Sequence, residues 1–187
     1  LMSRFEERGW FDEGSVGVES QLSGGPYLDL GTSLGRVGAN PAEFFAHAER
    51  THELFSTLFD GYANPVQLIY QKLAELAPSK EVRTARQHGR EFGPAIFRIY
   101  HGGEGHHPHV DSIAKRADPP PYVVTKFDYQ FAGILCMQSH SENSASGEPI
   151  IYRTGITPEW ESKQQMKNFA ERAVELGIPS AQVCLAP

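Results

Sequence analysis

The chain has 187 residues, of which 40% are hydrophobic and 21% charged, and a formal net charge of −6. That length suits one domain with a real core rather than two, and the composition is that of an ordinary globular protein. A negative balance without a long basic run argues against nucleic-acid binding through phosphate contacts, and no apolar run approaches the ~20 residues that span a bilayer.

In chain order, residues 1–39 are rich in glycine and weakly periodic, with a turn at Gly24-Gly25-Pro26, and predict an irregular segment with at most short strands. Leu1–Trp10 is charged and lacks the apolar core of a signal peptide. Asn40-Pro41 then opens a helix, with Asn40 as cap, Pro41 in the first turn and Glu43 placed for a capping box. Phe44, Ala48, Phe55, Leu58 and Phe59 share one helical face, and Gly61 ends the run. Asn64-Pro65 repeats the opening, and Val66, Ile69, Tyr70, Leu73 and Leu76 form a second stripe before Pro78. Residues 40–78 therefore predict a helical buttress, which needs a sheet to cover.

From Gly93 onward the signals are mostly of strands: Ala95–Tyr100, then Tyr122–Thr125 after Pro119-Pro120-Pro121, then Tyr129–Gln138. A polar loop over Ser139–Gly147 precedes another strand at Glu148–Arg153. A third helix is expected over Glu159–Leu176, with Met166, Phe169, Ala173 and Leu176 on its apolar side and Gly177 as its stop, and Val183–Leu185 reads as a further strand. Short strands with long insertions fit an α+β fold in which a double-stranded β-helix, the cupin-like jelly roll, occupies residues 93–187 of a single domain over 1–187. The strand-like run Gln182–Leu185 stands just before Pro187, so the remaining strands are expected beyond Pro187. Cys136 and Cys184 lie in apolar, strand-like contexts; two thiols are too few for a disulfide scaffold and predict buried free cysteines in a reducing, cytoplasmic setting.

The most informative stretch is Phe97–Ser112, F-R-I-Y-H-G-G-E-G-H-H-P-H-V-D-S. His109 and Asp111 form an H-x-D pair after a strand-like run and a glycine-rich turn. On a strand, residues i and i+2 point to the same side, so an imidazole nitrogen and a carboxylate oxygen can reach one ion. These are two ligands of a 2-His-1-carboxylate facial triad, the site that leaves open positions on Fe(II) for a co-substrate and O₂. His107 shares the parity of Asp111 and His106 does not. Arg98 shares the parity of Tyr100; its cation would suit a dicarboxylate in a cavity, and it would equally suit pairing with an acid. His47 and His52 lack the H-E-x-x-H pattern of zinc peptidases and read as surface or core histidines.

The segment resembles the Y-x-x-G…H-x-D signature of the 2-oxoglutarate/Fe(II) oxygenases, including their prolyl-hydroxylase-like branch. The two N-terminal helices, the I-F-R-I-Y strand, the G-E-P-I-I-Y strand and the T-P-E-W that follows are similar, in order and spacing, to the carrier-independent iron halogenases and hydroxylases that act on free alkaloid-type molecules. The resemblance covers roughly Asn40 to Trp160, and H-x-D is its one specific motif. It selects His109 as the ligand beside Asp111 and implies that Tyr100 faces the iron and 2-oxoglutarate, with Arg98 in the same pocket. It places the distal His ligand, and the basic residue that holds the far carboxylate of 2-oxoglutarate, beyond Pro187; His140, in a polar loop, is the weaker alternative. The halogenating members carry glycine at the carboxylate position, so Asp111 implies hydroxylation of a small-molecule substrate, with Fe(II), 2-oxoglutarate and O₂ as cofactor and co-substrates. The competing expectations are a prolyl-type protein hydroxylase and a non-catalytic, cupin-like metal-binding domain.

Overall fold

The computed structural model describes residues 1–9, 21–22, 27–100, 108–109, 121–128, 130–138, 148–154 and 168–183. The chain divides into two compact units, Leu1–Glu104 with Ser112–Leu135, and Gly105–Asp111 with Cys136–Pro187. None of the described helices is long and apolar enough to cross a membrane.

In the first unit, α1 (Met2–Glu7) is followed by strands β1 (Gln21–Leu22) and β2 (Tyr27–Gly31), the short helix α2 (Leu34–Val37), and the longer helices α3 (Pro41–Leu58) and α4 (Pro65–Leu76). A small hairpin, β3 (Arg86–Gln87) with β4 (Arg90–Glu91), leads to β5 (Ile96–Tyr100). Strands β1, β2 and β5 form one antiparallel sheet in that order, with Leu30 opposite Phe97 and Asp29 opposite Arg98.

Helix α3 starts where its cap dictates: the Asn40 side chain accepts from the amides of Ala42 and Glu43, and Pro41 occupies the first turn. Asn64 does the same for Val66 and Gln67 at the head of α4. The face of α3 is wider than its apolar stripe alone suggests, because Phe45, His47 and Thr51 are buried beside Phe44, Ala48, Phe55 and Leu58. Its ends serve two separate clusters. Phe44 and Phe45 pack edge-on with Phe92 and Tyr122, while Phe55, Leu58 and Phe59 join Phe5, Leu30 and Val66. On α4 the stripe holds from Val66 to Leu73, but Leu76, the last helical residue, is 81% exposed.

The N-terminal segment departs from the irregular conformation expected for it. Residues Met2–Glu7 are helical because tertiary contacts hold a turn too short to stand alone. Phe5 is buried with its ring edge-on to Phe97 at 5.1 Å. Arg4 reaches the open C-terminal end of α3, its Nη1 donating to the carbonyl of Leu58 (2.6 Å) and its Nη2 to that of Asp60 (2.9 Å), with the guanidinium stacked over Tyr62. An arginine there satisfies carbonyls that the helix leaves without partners.

Two of the expected strands are not strands. Val123–Lys126 forms a 3₁₀ turn in which both the amide and the hydroxyl of Thr125 donate to the Tyr122 carbonyl. Groups that satisfy each other locally are withdrawn from a sheet ladder. The buried Tyr122 hydroxyl donates to the Gly38 carbonyl (2.9 Å) and the Val123 amide to Gln87 Oε1 (2.7 Å), which anchors the turn on α2 and on the hairpin. The described part of Tyr129–Gln138 has no strand pairing either, and Phe131 and Ile134 are largely exposed. β-forming side chains and propensity alone do not make a ladder. Gly133 instead presses on α4, where a Cβ would come 2.5 Å from Ile69 Cγ2.

The second unit pairs β6 (Ile150–Tyr152) antiparallel with β7 (Ser180–Gln182), which lies directly before the strand expected at Val183–Leu185, of which only Val183 is described. Of the third helix, α5 (Phe169–Glu175) is described, with Phe169 and Ala173 buried against Tyr152 and Ile178. It ends as Gly177 predicts. With φ at +63° there, the Ile178 amide donates to Ala173 O and the Gly177 amide to Val174 O, a Schellman closure. Leu176, expected on the apolar side, is exposed, and Met166 lies outside the described residues. Cys136 is a half-buried free thiol, and Cys184 lies outside the described residues.

Candidate metal centre

Strand β5 is the element that leads into the H-x-D segment, and its alternation sorts its side chains cleanly. Phe97 packs among Phe5, Phe55 and Phe59, toward the helices. Arg98 and Tyr100 therefore stand on the other face of the sheet, away from α3. On the neighbouring strand Leu30 belongs to the helix-side cluster, which puts Asp29 on the same face as Arg98.

Asp29 is fully buried although it is ionisable. Its partner is Arg98, which donates from Nε to Oδ1 (2.7 Å) and from Nη2 to Oδ2 (3.1 Å). This is a two-pronged guanidinium–carboxylate pair, the geometry that satisfies both carboxylate oxygens at once. Hydrogen bonding to Asp29 raises the Arg98 guanidinium above its ordinary value, and a hydrogen bond to Tyr100 adds to that effect. Asp29, Arg98 and Tyr100 thus form one polar group on the face away from the helices. Sequence reasoning identifies Arg98 and Tyr100 but misses Asp29, whose signal is a charge set inside the strand-like run Tyr27-Leu28-Asp29-Leu30.

Of the two expected metal ligands, His109 is described and exposed, next to a half-buried Pro108. Asp111, His106, His107 and the alternative ligand His140 lie outside the described residues. Among the described residues no three His, Cys, Asp or Glu side chains gather closely enough to hold a metal ion. By residue type, His109 and Asp111 offer an imidazole and a carboxylate, two of the three donors of a facial triad. Lys126 and Arg153 are exposed.

The chain matches no protein-family model, no curated protein and no solved structure.

Proposed function

We propose that the protein is a 2-oxoglutarate-dependent Fe(II) dioxygenase that hydroxylates a C–H bond of a small-molecule substrate. The observation that carries this reading is the H-x-D pair His109–Asp111 in the segment that β5 leads into. Within the first unit, helices cover one face of the β1–β2–β5 sheet and a polar group, Asp29–Arg98–Tyr100, stands on the other.

In this reading His109 and Asp111 hold the iron. When bound, the iron supplies the O₂ chemistry that converts 2-oxoglutarate to succinate and CO₂ and hydroxylates the substrate. The chain supplies position and charge. Arg98 donates from Nε and Nη2 to Asp29, so its charge is already partnered within the sheet. The roles of Arg98 and Tyr100 toward 2-oxoglutarate rest on the family resemblance alone. Asp111, as a ligand, would take the coordination place that a halide needs, and the expected product therefore carries a hydroxyl and not chlorine.

With Fe(II), 2-oxoglutarate and O₂, the protein is expected to release succinate above an iron-free control, and a substrate to raise the rate. His109→Ala should lower that release by more than the ~10–100-fold typical of losing an outer-shell partner of a metal ligand. Metal binding without succinate would favour a non-catalytic cupin-like domain, and stimulation by proline-containing peptides alone a peptide hydroxylase. Chlorinated product as the main species in chloride buffer would remove Asp111 from the iron.

A further inference from the structure

Between the two apolar clusters along α3 lies a polar chain that the proposed chemistry does not use. Thr32, just after β2, places its Oγ1 2.9 Å from His47 Nδ1 and 2.7 Å from Thr51 Oγ1, and Thr51 Oγ1 donates to the His47 carbonyl at 3.1 Å. All three residues are buried, His47 with 5% of its surface exposed, Thr32 with 6% and Thr51 with none. Thr32 is also clamped from its other side, since a Cβ on Gly93 would lie 2.6 Å from its own Cβ.

The three bonds can be made together in one arrangement only. A carbonyl oxygen accepts, so the single hydroxyl proton of Thr51 goes to His47 O. Thr32 must then donate to Thr51, and having no second proton it must accept from His47 Nδ1–H. His47 is therefore the Nδ1–H tautomer, with a bare lone pair at Nε2. That atom is buried and has no hydrogen-bond partner among the described residues. Adding a proton would create a buried cation whose new N–H has no acceptor in place, which is the expensive state for a polar group.

We propose that Thr32, Thr51 and neutral His47 form an acid-sensitive lock that fastens the end of β2 to the middle of α3, and that protonation of His47 at Nε2 opens it. Among the described residues, the neighbouring carboxylates each face another cation. On α3 the charged group acting on the ring is Arg50, which repels a second cation. Asp29 of β2 is committed to Arg98, Glu91 beside Phe92 is held by Arg86 and His52, and Glu49 pairs with Arg90. Burial first, and Arg50 second, lower the affinity of His47 for a proton below its ordinary value.

The sign follows from linkage. A histidine that binds its proton less tightly folded than unfolded contributes stability that is complete above about pH 6.5 and is lost as the pH falls below that value toward its folded pKa. Over that interval His47 alone should raise the unfolding equilibrium constant by at most about tenfold per pH unit. The test has two arms. Long-range ¹H–¹⁵N spectra of the native protein should show His47 as the Nδ1–H tautomer, still mostly neutral at about pH 6.5, where a free imidazole is half charged; an Nε2–H tautomer, or a ring already charged at that pH, would overturn the proposal. Denaturant unfolding from pH 7.5 to 5 should show a steeper acid loss in the native protein than in His47→Asn, whose side-chain amide can still donate to Thr32 and does not titrate. Equal pH slopes in the two proteins would overturn it as well, and should His47→Asn fail to fold, the tautomer measurement decides alone.

Discussion

Arg98→Met is expected to cost about 3–5 kcal/mol of stability, the range for removing one member of a buried ion pair, and to cost more than Asp29→Asn. The two partners are not equally placed. Asp29 is fully buried, whereas the Arg98 side chain is 29% accessible and can recruit water if its carboxylate is taken away. Removing the guanidinium deprives a dry carboxylate of its cation; removing the carboxylate frees an arginine that can be solvated. Asp29→Asn should therefore cost only about 1–3 kcal/mol, the scale of a hydrogen bond to a charged group. The double variant Asp29→Leu/Arg98→Met should recover much of the loss, because an apolar pair removes both desolvation penalties. Denaturant midpoints of the four proteins measure this directly, and the reverse order for the single variants would show that the carboxylate is better solvated than its burial indicates. The pair also ties β2 to β5, where Asp29 stands opposite Arg98.

Phe44→Ala should cost a further about 3–5 kcal/mol, as buried Phe→Ala substitutions do. Phe44 is 1% exposed and meets three rings, Phe45 at 5.1 Å, Phe92 at 5.3 Å and Tyr122 at 5.0 Å, all steeply inclined to it. Its removal leaves a hole bounded by a helix, the hairpin exit and the Tyr122 turn, none of which can collapse without giving up its own anchors. Phe44→Leu keeps most of the volume and loses the edge-to-face contacts, so it should cost about 1–2 kcal/mol. Phe131→Ala is the control: with 72% of its surface exposed it should stay within about 0.5 kcal/mol of the parent. Equal losses for Phe44→Ala and Phe131→Ala would mean that the aromatic cluster is not a packed core.

What could be read from the sequence was local in origin. Asn40-Pro41 and Asn64-Pro65 specify helix starts through side chains that bond to amides two and three residues on, and both starts stand where these residues put them. Gly177 likewise specifies its own helix end. Strand β5 was legible because Phe97 and its neighbours alternate, and because its apolar side meets α3. What was not legible depends on distant partners. Met2–Glu7 carries no capping signal and is helical because Phe5 and Arg4 have docking places on the sheet and on the end of α3. Tyr122–Thr125 has the composition of a strand, yet Gln87 and Gly38 hold it as a turn. Asp29, His47 and Thr51 carry no local sign of burial; only the cross-strand register and the approach of Thr32 reveal that they are buried and bonded. Of the candidate metal centre, the H-x-D pair His109–Asp111 is a reading of residue type and spacing alone, and Asp111 lies outside the described residues. The Asp29–Arg98 pair was not legible, because it joins residues far apart in the chain.

The measurement that bears most directly on the proposed chemistry is an anaerobic titration of the protein with Fe(II) followed by 2-oxoglutarate, read in the visible spectrum. The expected result is a weak metal-to-ligand charge-transfer band that appears only when both are present and is lost in His109→Ala and in Asp111→Ala, with a matching fall in bound iron. No band in the native protein, together with an iron content that His109→Ala leaves unchanged, would contradict the assignment of these residues as iron ligands and the oxygenase function with it.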